Sequence, residues 1–458
     1  AAWIYRGSSE GIVAAPYWYK TSDQVGANFG YSVSDAGDVN GDGFADVMVG
    51  APNYNHGQTD EGMVWVYHGT ASGVHQVPDW DFESNFSGAN LGFSIHTAGD
   101  VNRDGYTDVI VGAPFWQDDV ANEGRAWVFH GSPSGLLENS EWHAESNNYN
   151  AQLGHAVSTA GDVNGDGYAD IIVGAPEYGD GDGRVWVFHG SSEGVEDVHT
   201  WTKTSGQSGA RYGFSVSTAG DVNGDGYADV ILGAPMMQDS ITDEGTARVY
   251  LGSQDGLEAD PVWRGAGGQT LSWYGNSVSV AGDVNGDGYS EVIVGGHQFN
   301  GTYVNEGKAW VYYGNSGRGV SLNPRQRRID DSPLSHLGLS DDNQSVRLRI
   351  LFKGPFGRGG FLLEAEIKSI NHNFDGLDTF LWGGYQTAII GSDKYIQPFD
   401  LESGSNQHWR LRWQYNPATT PWMPASRWVG MPYHGWNEAY FRTKSYYKIY
   451  LPLSLSSP

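Results

Sequence analysis

The stretch Asp162-Val163-Asn164-Gly165-Asp166-Gly167-Tyr168-Ala169-Asp170 decides the fold, because it is one of five copies. The pattern reads DVNGDGFAD at 38–46, DVNRDGYTD at 100–108, DVNGDGYAD at 221–229 and DVNGDGYSE at 283–291. Its first Asp stands at 38, 100, 162, 221 and 283, spacings of 62, 62, 59 and 62 residues. A period that long and regular is one supersecondary unit copied along an array. Oxygen-bearing side chains at alternate positions around a Gly turn are also how a chain wraps Ca²⁺.

Outward from each loop the residues read as strands. In the second copy Leu91–Thr97 alternates and leads into the loop, and Val109-Ile110-Val111-Gly112 follows as a short buried run. Ala113-Pro114 closes it, and an acidic variable stretch reaches Glu123-Gly124. Ala126–Gly131 is a third strand, and Trp142 anchors a fourth. Four short strands with Gly/Pro turns at this period predict a β-propeller blade, and helical periodicity is absent. Gly-Ala-Pro recurs at 50–52, 112–114, 174–176 and 233–235, while the fifth copy has Gly295-Gly296-His297. The third strand recurs at Trp65, Trp127, Trp186, Arg248 and Trp310, and the fourth at Trp18, Trp80, Trp142, Trp201 and Trp263. An extra third strand stands at Trp3–Gly7. The expectation is five full blades after a partial N-terminal blade, with further sequence upstream of Ala1 or another chain closing the ring.

The 458 residues carry a net charge of −28 and no Cys, so disulfides and thiolate metal sites are excluded. The charge is uneven: residues 1–315 hold 10 basic against 42 acidic side chains, and 316–458 hold 16 against 12. The break marks a domain boundary, and the acidic body repels nucleic acid and anionic membrane. No apolar run reaches the ~18–20 residues of a membrane span, and no signal peptide is visible.

With Phe-Gly or Tyr-Gly ahead of the first strand, the acidic loop, and Gly-Ala-Pro after the second, the repeat resembles FG-GAP. That repeat builds the propeller of integrin α subunits and of many secreted bacterial proteins. The resemblance covers about 1–315 and implies an all-β, integrin-α-type β-propeller, of seven blades when complete. It implies four to five Ca²⁺ ions. In the first loop the ligands would be Asp38, Asn40, Asp42, the Phe44 carbonyl and Asp46; in the second, Asp100, Asn102, Asp104, the Tyr106 carbonyl and Asp108. The third would use Asp162, Asn164, Asp166, the Tyr168 carbonyl and Asp170, and the fourth Asp221, Asn223, Asp225, the Tyr227 carbonyl and Asp229. The fifth offers Asp283, Asn285, Asp287, the Tyr289 carbonyl and Glu291, whose extra methylene predicts a weaker site.

The expected domains are a calcium-binding propeller over 1–320, a linker or last outer strand over 321–335, a β-sandwich over 336–445, and a tail over 446–458. The sandwich rests on alternation at Val346–Ile350, Phe361–Ile367 and Trp409–Trp413. It is similar to the fibronectin-III-like domain that follows FG-GAP repeats in some bacterial surface proteins. Trp382, Trp413, Trp422, Trp428 and Trp436 suit core packing or carbohydrate stacking, and Pro417, Pro421, Pro424 and Pro432 stiffen the loop around two of them. His68, His130 and His189 end equivalent strands on different blades, which favours repeated structural residues over a metal site.

No Ser-His-Asp, phosphate-loop or H-E-x-x-H signature appears. Loops 53–61, 115–123 and 236–244 vary while the scaffold does not, as recognition loops do. The leading expectation is a non-catalytic, extracellular or cell-surface module that binds protein or joins a surface assembly. A lectin-like polysaccharide binder and a secreted hydrolase or lyase using the central pocket are the alternatives.

Overall fold

The structure is a computed structural model. It describes residues 1–8, 11–140, 142–225, 227–282, 284 and 289–314, then 325–327, 338–339, 346–351, 360–369, 377, 379–387, 393–396, 406–415 and 441–442. The chain divides into two compact units: Ala1–Val320 with Lys353–Gly360 and Tyr415–Pro424, and Ser321–Phe352 with Phe361–Gln414 and Ala425–Pro458.

The first unit is built of repeated four-stranded antiparallel sheets, the blades the period predicts. Blade 1 runs Ser32–Gly37, Asp46–Ala51, Met63–Tyr67, Trp80–Glu83; blade 2 runs Ser94–Gly99, Asp108–Ala113, Arg125–Phe129, Trp142–Glu145. Blade 3 runs Ala156–Gly161, Asp170–Ala175, Arg184–Phe188, Trp201–Thr204; blade 4 runs Ser215–Gly220, Asp229–Ala234, Thr246–Tyr250, Trp263–Ala266. In blade 5 the described strands are Ser277–Gly282, Glu291–Gly296 and Lys308–Tyr312. The N-terminal part-blade pairs Ala2–Ile4 with Trp18–Lys20. Among the described residues one four-residue helical turn, Tyr178–Gly181, interrupts the strands, and Gly179 and Asp180 within it have positive φ.

The core lies between blades. Val64, Val66 and Trp80 of blade 1 pack with Val109, Val111 and Phe129 of blade 2, and the same arrangement joins blades 2 and 3 and blades 3 and 4. Strand alternation explains this: each sheet is apolar on both faces and buries both against neighbours. Polar locks fix the register. The fourth-strand indole N–H donates to the next blade's backbone, Trp80 to Leu137 O and Trp142 to Glu196 O at 3.1 Å each. His68, His130 and His189 close their strands with the ring edge against Gly135, Gly194 and Gly256 of the following blade, a packing role.

Every first strand ends in a bulge, between Asp35 and Gly37, Thr97 and Gly99, Thr159 and Gly161, Thr218 and Gly220, and Val280 and Gly282. A bulge re-aims the chain, and here it throws the acidic loop out at one end of each blade. The Gly is required twice over. Gly99 has φ +83°, and a Cβ on it would stand 2.6 Å from the Ala169 Cβ of the next blade.

In the second unit, Arg347–Leu351 pairs with Arg325–Arg327 on one side and Asp393–Ile396 on the other. Arg325–Arg327, within the expected linker or outer strand, therefore joins this sheet and not blade 5. A second sheet runs Gly338–Leu339, Phe441–Arg442, Asn406–Tyr415, Gly360–Ser369, Phe380–Thr387. Its first pair is parallel. Val346, Leu348 and Ile350 are buried, as are Phe361, Leu363, Trp409, Leu411 and Trp413. Trp413 is thus core rather than a binding surface. Trp422, Trp428, Trp436, the four prolines and the 446–458 tail lie outside the described residues.

Candidate metal centres

Each acidic loop joins the end of a first strand to the start of a second. In the first loop Asp38 accepts from two backbone N–H groups, Asp42 N on Oδ1 at 3.0 Å and Gly43 N on Oδ2 at 2.9 Å. Asn40 Oδ1 accepts from Asp42 N, and Asp42 Oδ1 from Phe44 N, both at 3.0 Å. These short side-chain-to-backbone bonds are Asx turns, and they explain why Asp and Asn alternate with small residues. Asp46 closes the loop: Oδ2 accepts from Val39 N at 2.9 Å and Oδ1 from Gly69 N at 2.8 Å.

The second, third and fourth loops repeat this geometry. Asp100, Asp162 and Asp221 accept from the N–H of Asp104, Asp166 and Asp225; Asn102, Asn164 and Asn223 accept from the same three donors. Tyr106, Tyr168 and Tyr227 donate their N–H to Asp104, Asp166 and Asp225. Asp108, Asp170 and Asp229 take the N–H of Gly131, Gly190 and Gly252. In the fifth loop Glu291 Oε2 accepts from Val284 N at 2.6 Å, so the longer acid does reach the Asp46 position. Tyr289 is described, whereas Asp283, Asn285 and Asp287 lie outside the described residues.

The loops are also bonded to one another. Thr107 N donates to Asp38 O, Ala169 N to Asp100 O, Ala228 N to Asp162 O and Ser290 N to Asp221 O, at 2.9–3.0 Å. The eighth residue of each loop from the second to the fifth thus holds the first residue of the loop before it.

Electrostatically these turns are under load. Asp46, Asp108, Asp170 and Asp229 are fully buried. Burial, then the nearby acids of the same loop, push Asp46 up to about 7 and Asp108 well above the usual carboxylate range. For Asp100 and Asp162 burial is again the main cause, and both rise to about 6. The main influences on these acids are burial, which raises them, backbone N–H groups, which lower them, and the neighbouring Asp side chains. Among the described residues no group of three or more His, Asp or Glu side chains stands close enough to grip a metal as placed. The donor chemistry nonetheless fits a hard dication. Oxygen donors dominate, and buried carboxylates crowd one turn.

The opposite ends of the blades carry two features that the loop pattern did not disclose. The first is a row of rings at the start of successive first strands. Tyr31, Phe93, His155 and Phe214 follow one another at centroid distances of 5.0, 5.0 and 4.6 Å. Tyr31 is 54% exposed and the other three are half-buried. The second is a buried Glu shortly before the third strand of blades 1, 2 and 4. Glu61 Oε1 accepts from Gln58 N at 3.1 Å, Glu123 Oε1 from Asp118 N at 3.0 Å, and Glu244 Oε1 from Ile241 N at 2.9 Å. They tie the variable loops 53–61, 115–123 and 236–244 to the scaffold. Their only sequence signal is Glu-Gly at 61–62, 123–124, 244–245 and 306–307.

The FG-GAP repeat model matches residues 29–67, 91–129, 153–188, 212–251 and 274–312, so each full blade carries one copy. The chain is 30% identical over 215 residues to integrin alpha-4 of Xenopus laevis, an alignment covering 46% of this chain and 20% of that protein. It is 33% identical over 230 residues to integrin alpha pat-2 of Caenorhabditis elegans, covering 45% and 18%. With human integrin alpha-6 the figures are 31% over 193 residues, 42% and 16%. The chain therefore spans about a fifth or less of the length of these relatives. It is an FG-GAP, integrin-α-like protein, all-β, with propeller blades followed by a strand-rich C-terminal region. Among the described residues no helix is long and apolar enough to cross a membrane.

Proposed function

We propose that this chain is an extracellular or cell-surface protein-binding module stiffened by calcium, without catalytic activity. The observation that carries the reading is the set of buried, mutually repelling carboxylate turns linked loop to loop. The first four loops would hold one ion each through the two outer Asp, the central Asn and Asp, and the Phe44, Tyr106, Tyr168 or Tyr227 carbonyl. The fifth would use Asp283, Asn285, Asp287, Tyr289 and Glu291. A bound Ca²⁺ supplies positive charge that turns the repulsion into cohesion. The chain's own part is to keep the donors turned inward by Asx turns and to hold each loop against the next.

Partner contact falls to the other ends of the blades. The exposed Tyr31 ring and its part-buried neighbours, beside loops anchored by buried Glu, offer rigid apolar area at low entropic cost. Integrin α relatives favour a protein partner over polysaccharide. Calcium titration of metal-stripped protein by calorimetry tests the first part, with four to five ions expected and a rise in melting temperature. Binding of none sinks it. Partner capture from the native source, with Tyr31→Ala and Phe93→Ala variants as controls, tests the second; capture that these changes leave intact refutes the aromatic surface.

A further inference from the structure

The fourth loop position is Gly41, Gly165 and Gly224 in the first, third and fourth loops, at φ +71°, +73° and +77°. In the second it is Arg103, held in the same left-handed region at φ +59°, which L side chains disfavour. Gly serves space as well as conformation: the Tyr106 ring lies 2.6 Å from where a Cβ on Gly41 would stand. At the next junction Arg103 reaches forward instead. Its Nη1 lies 3.0 Å, and its Cζ 3.3 Å, from the point a Cβ on Gly167 would occupy. The Gly167 N–H is held by Asp162 Oδ2 at 3.0 Å, and Asp166 precedes it in the chain. A permanent positive charge therefore stands against the turn that carries the third loop's acids. Among the described residues the guanidinium has no carboxylate within ion-pair distance. No other Lys or Arg occurs within any of the five loops.

We propose that Arg103 weakens calcium binding at the third loop, so that blade 3 releases its ion before blade 1 does. This rests on the calcium reading above. Two effects act in the same direction. The guanidinium stabilises the ion-free carboxylates of the third loop, and it repels an incoming dication. Both act across solvent and are screened by salt.

The test uses the full chain, stripped of metal, labelled with ¹⁵N-glycine and titrated with CaCl₂. The Gly43, Gly105 and Gly167 amide resonances report the first three loops separately within one molecule. At low salt the Gly167 midpoint lies about threefold to tenfold above that of Gly43, and the gap narrows as salt is raised. Arg103→Asn, which tolerates a left-handed backbone without charge, closes the gap; Arg103→Lys keeps it. A Gly167 midpoint unmoved by Arg103→Asn, with Gly43 responding normally, overturns the role of Arg103 and leaves the calcium reading standing. Arg103→Lys behaving like Arg103→Asn overturns it too. Silence of all three resonances overturns both.

Discussion

Asp42 shows how one acid works in opposite directions. It raises the pKa values of Asp38 and Asp46, so it costs stability whenever no cation is present. Asp42→Asn should therefore gain roughly 0.5 kcal/mol in chelator and lose about tenfold in calcium affinity at the first loop. Melting curves of variant and wild type will then cross between the two conditions; a shift of the same sign in both refutes the assignment of Asp42. His155 works by a different route. Burial between Phe93 and Phe214, with Arg211 nearby, lowers its pKa to about 4. The unfolded chain takes up this proton near 6.5 and the folded one resists until about 4. Its contribution is full above 6.5 and is lost as pH falls through that window, by up to about 3 kcal/mol. His155→Phe, which continues the row of rings, should flatten this part of the stability profile. Denaturation midpoints at pH 7 and pH 4.5 measure the difference.

At the scale of the element, the bulge before each loop is the feature least tolerant of change. Gly99→Ala combines φ +83° with a Cβ 2.6 Å from that of Ala169. It should cost roughly 2 kcal/mol or more by forcing blades 2 and 3 apart, read as a fall in the urea midpoint. Gly105→Ala, with positive φ but nothing within 4 Å, should cost less. The blades themselves were legible because every signal recurs at one period: Asp38, Asp100 and Asp162 announce the loops, Trp80 and Trp142 the fourth strands. What escaped lacked a local signal. Tyr31, Phe93, His155 and Phe214 are adjacent only after blades pack, and three residue types hide one role. Glu61 and Glu123 sit in stretches whose other residues vary. The parallel pairing of Gly338–Leu339 with Phe441–Arg442 joins residues about a hundred positions apart over two rungs, too few to leave a pattern. The candidate ligands were readable residue by residue, but the bonds between one loop and the next were not, since backbone N–H groups leave no trace in composition.

Those bonds make the array behave as a whole. Asp38 holds the first loop's acids through its side chain and Thr107 of the second loop through its carbonyl. Disturbing one loop should be felt in the next. A double-mutant cycle of Asp42→Asn and Asp104→Asn, read as calcium affinity at Gly43, should give a coupling of roughly 0.5–1 kcal/mol. Strict additivity would mean independent loops. The same bond has a genealogical consequence. The second, third and fourth units each offer a donor on one side and an acceptor on the other, so these copies can stand after one another. Excising 100–161, one whole period, would bring Ala169 to the Asp38 carbonyl and leave no junction orphaned. Copy number can drift by duplication and loss of entire units, while a partial excision is penalised at once.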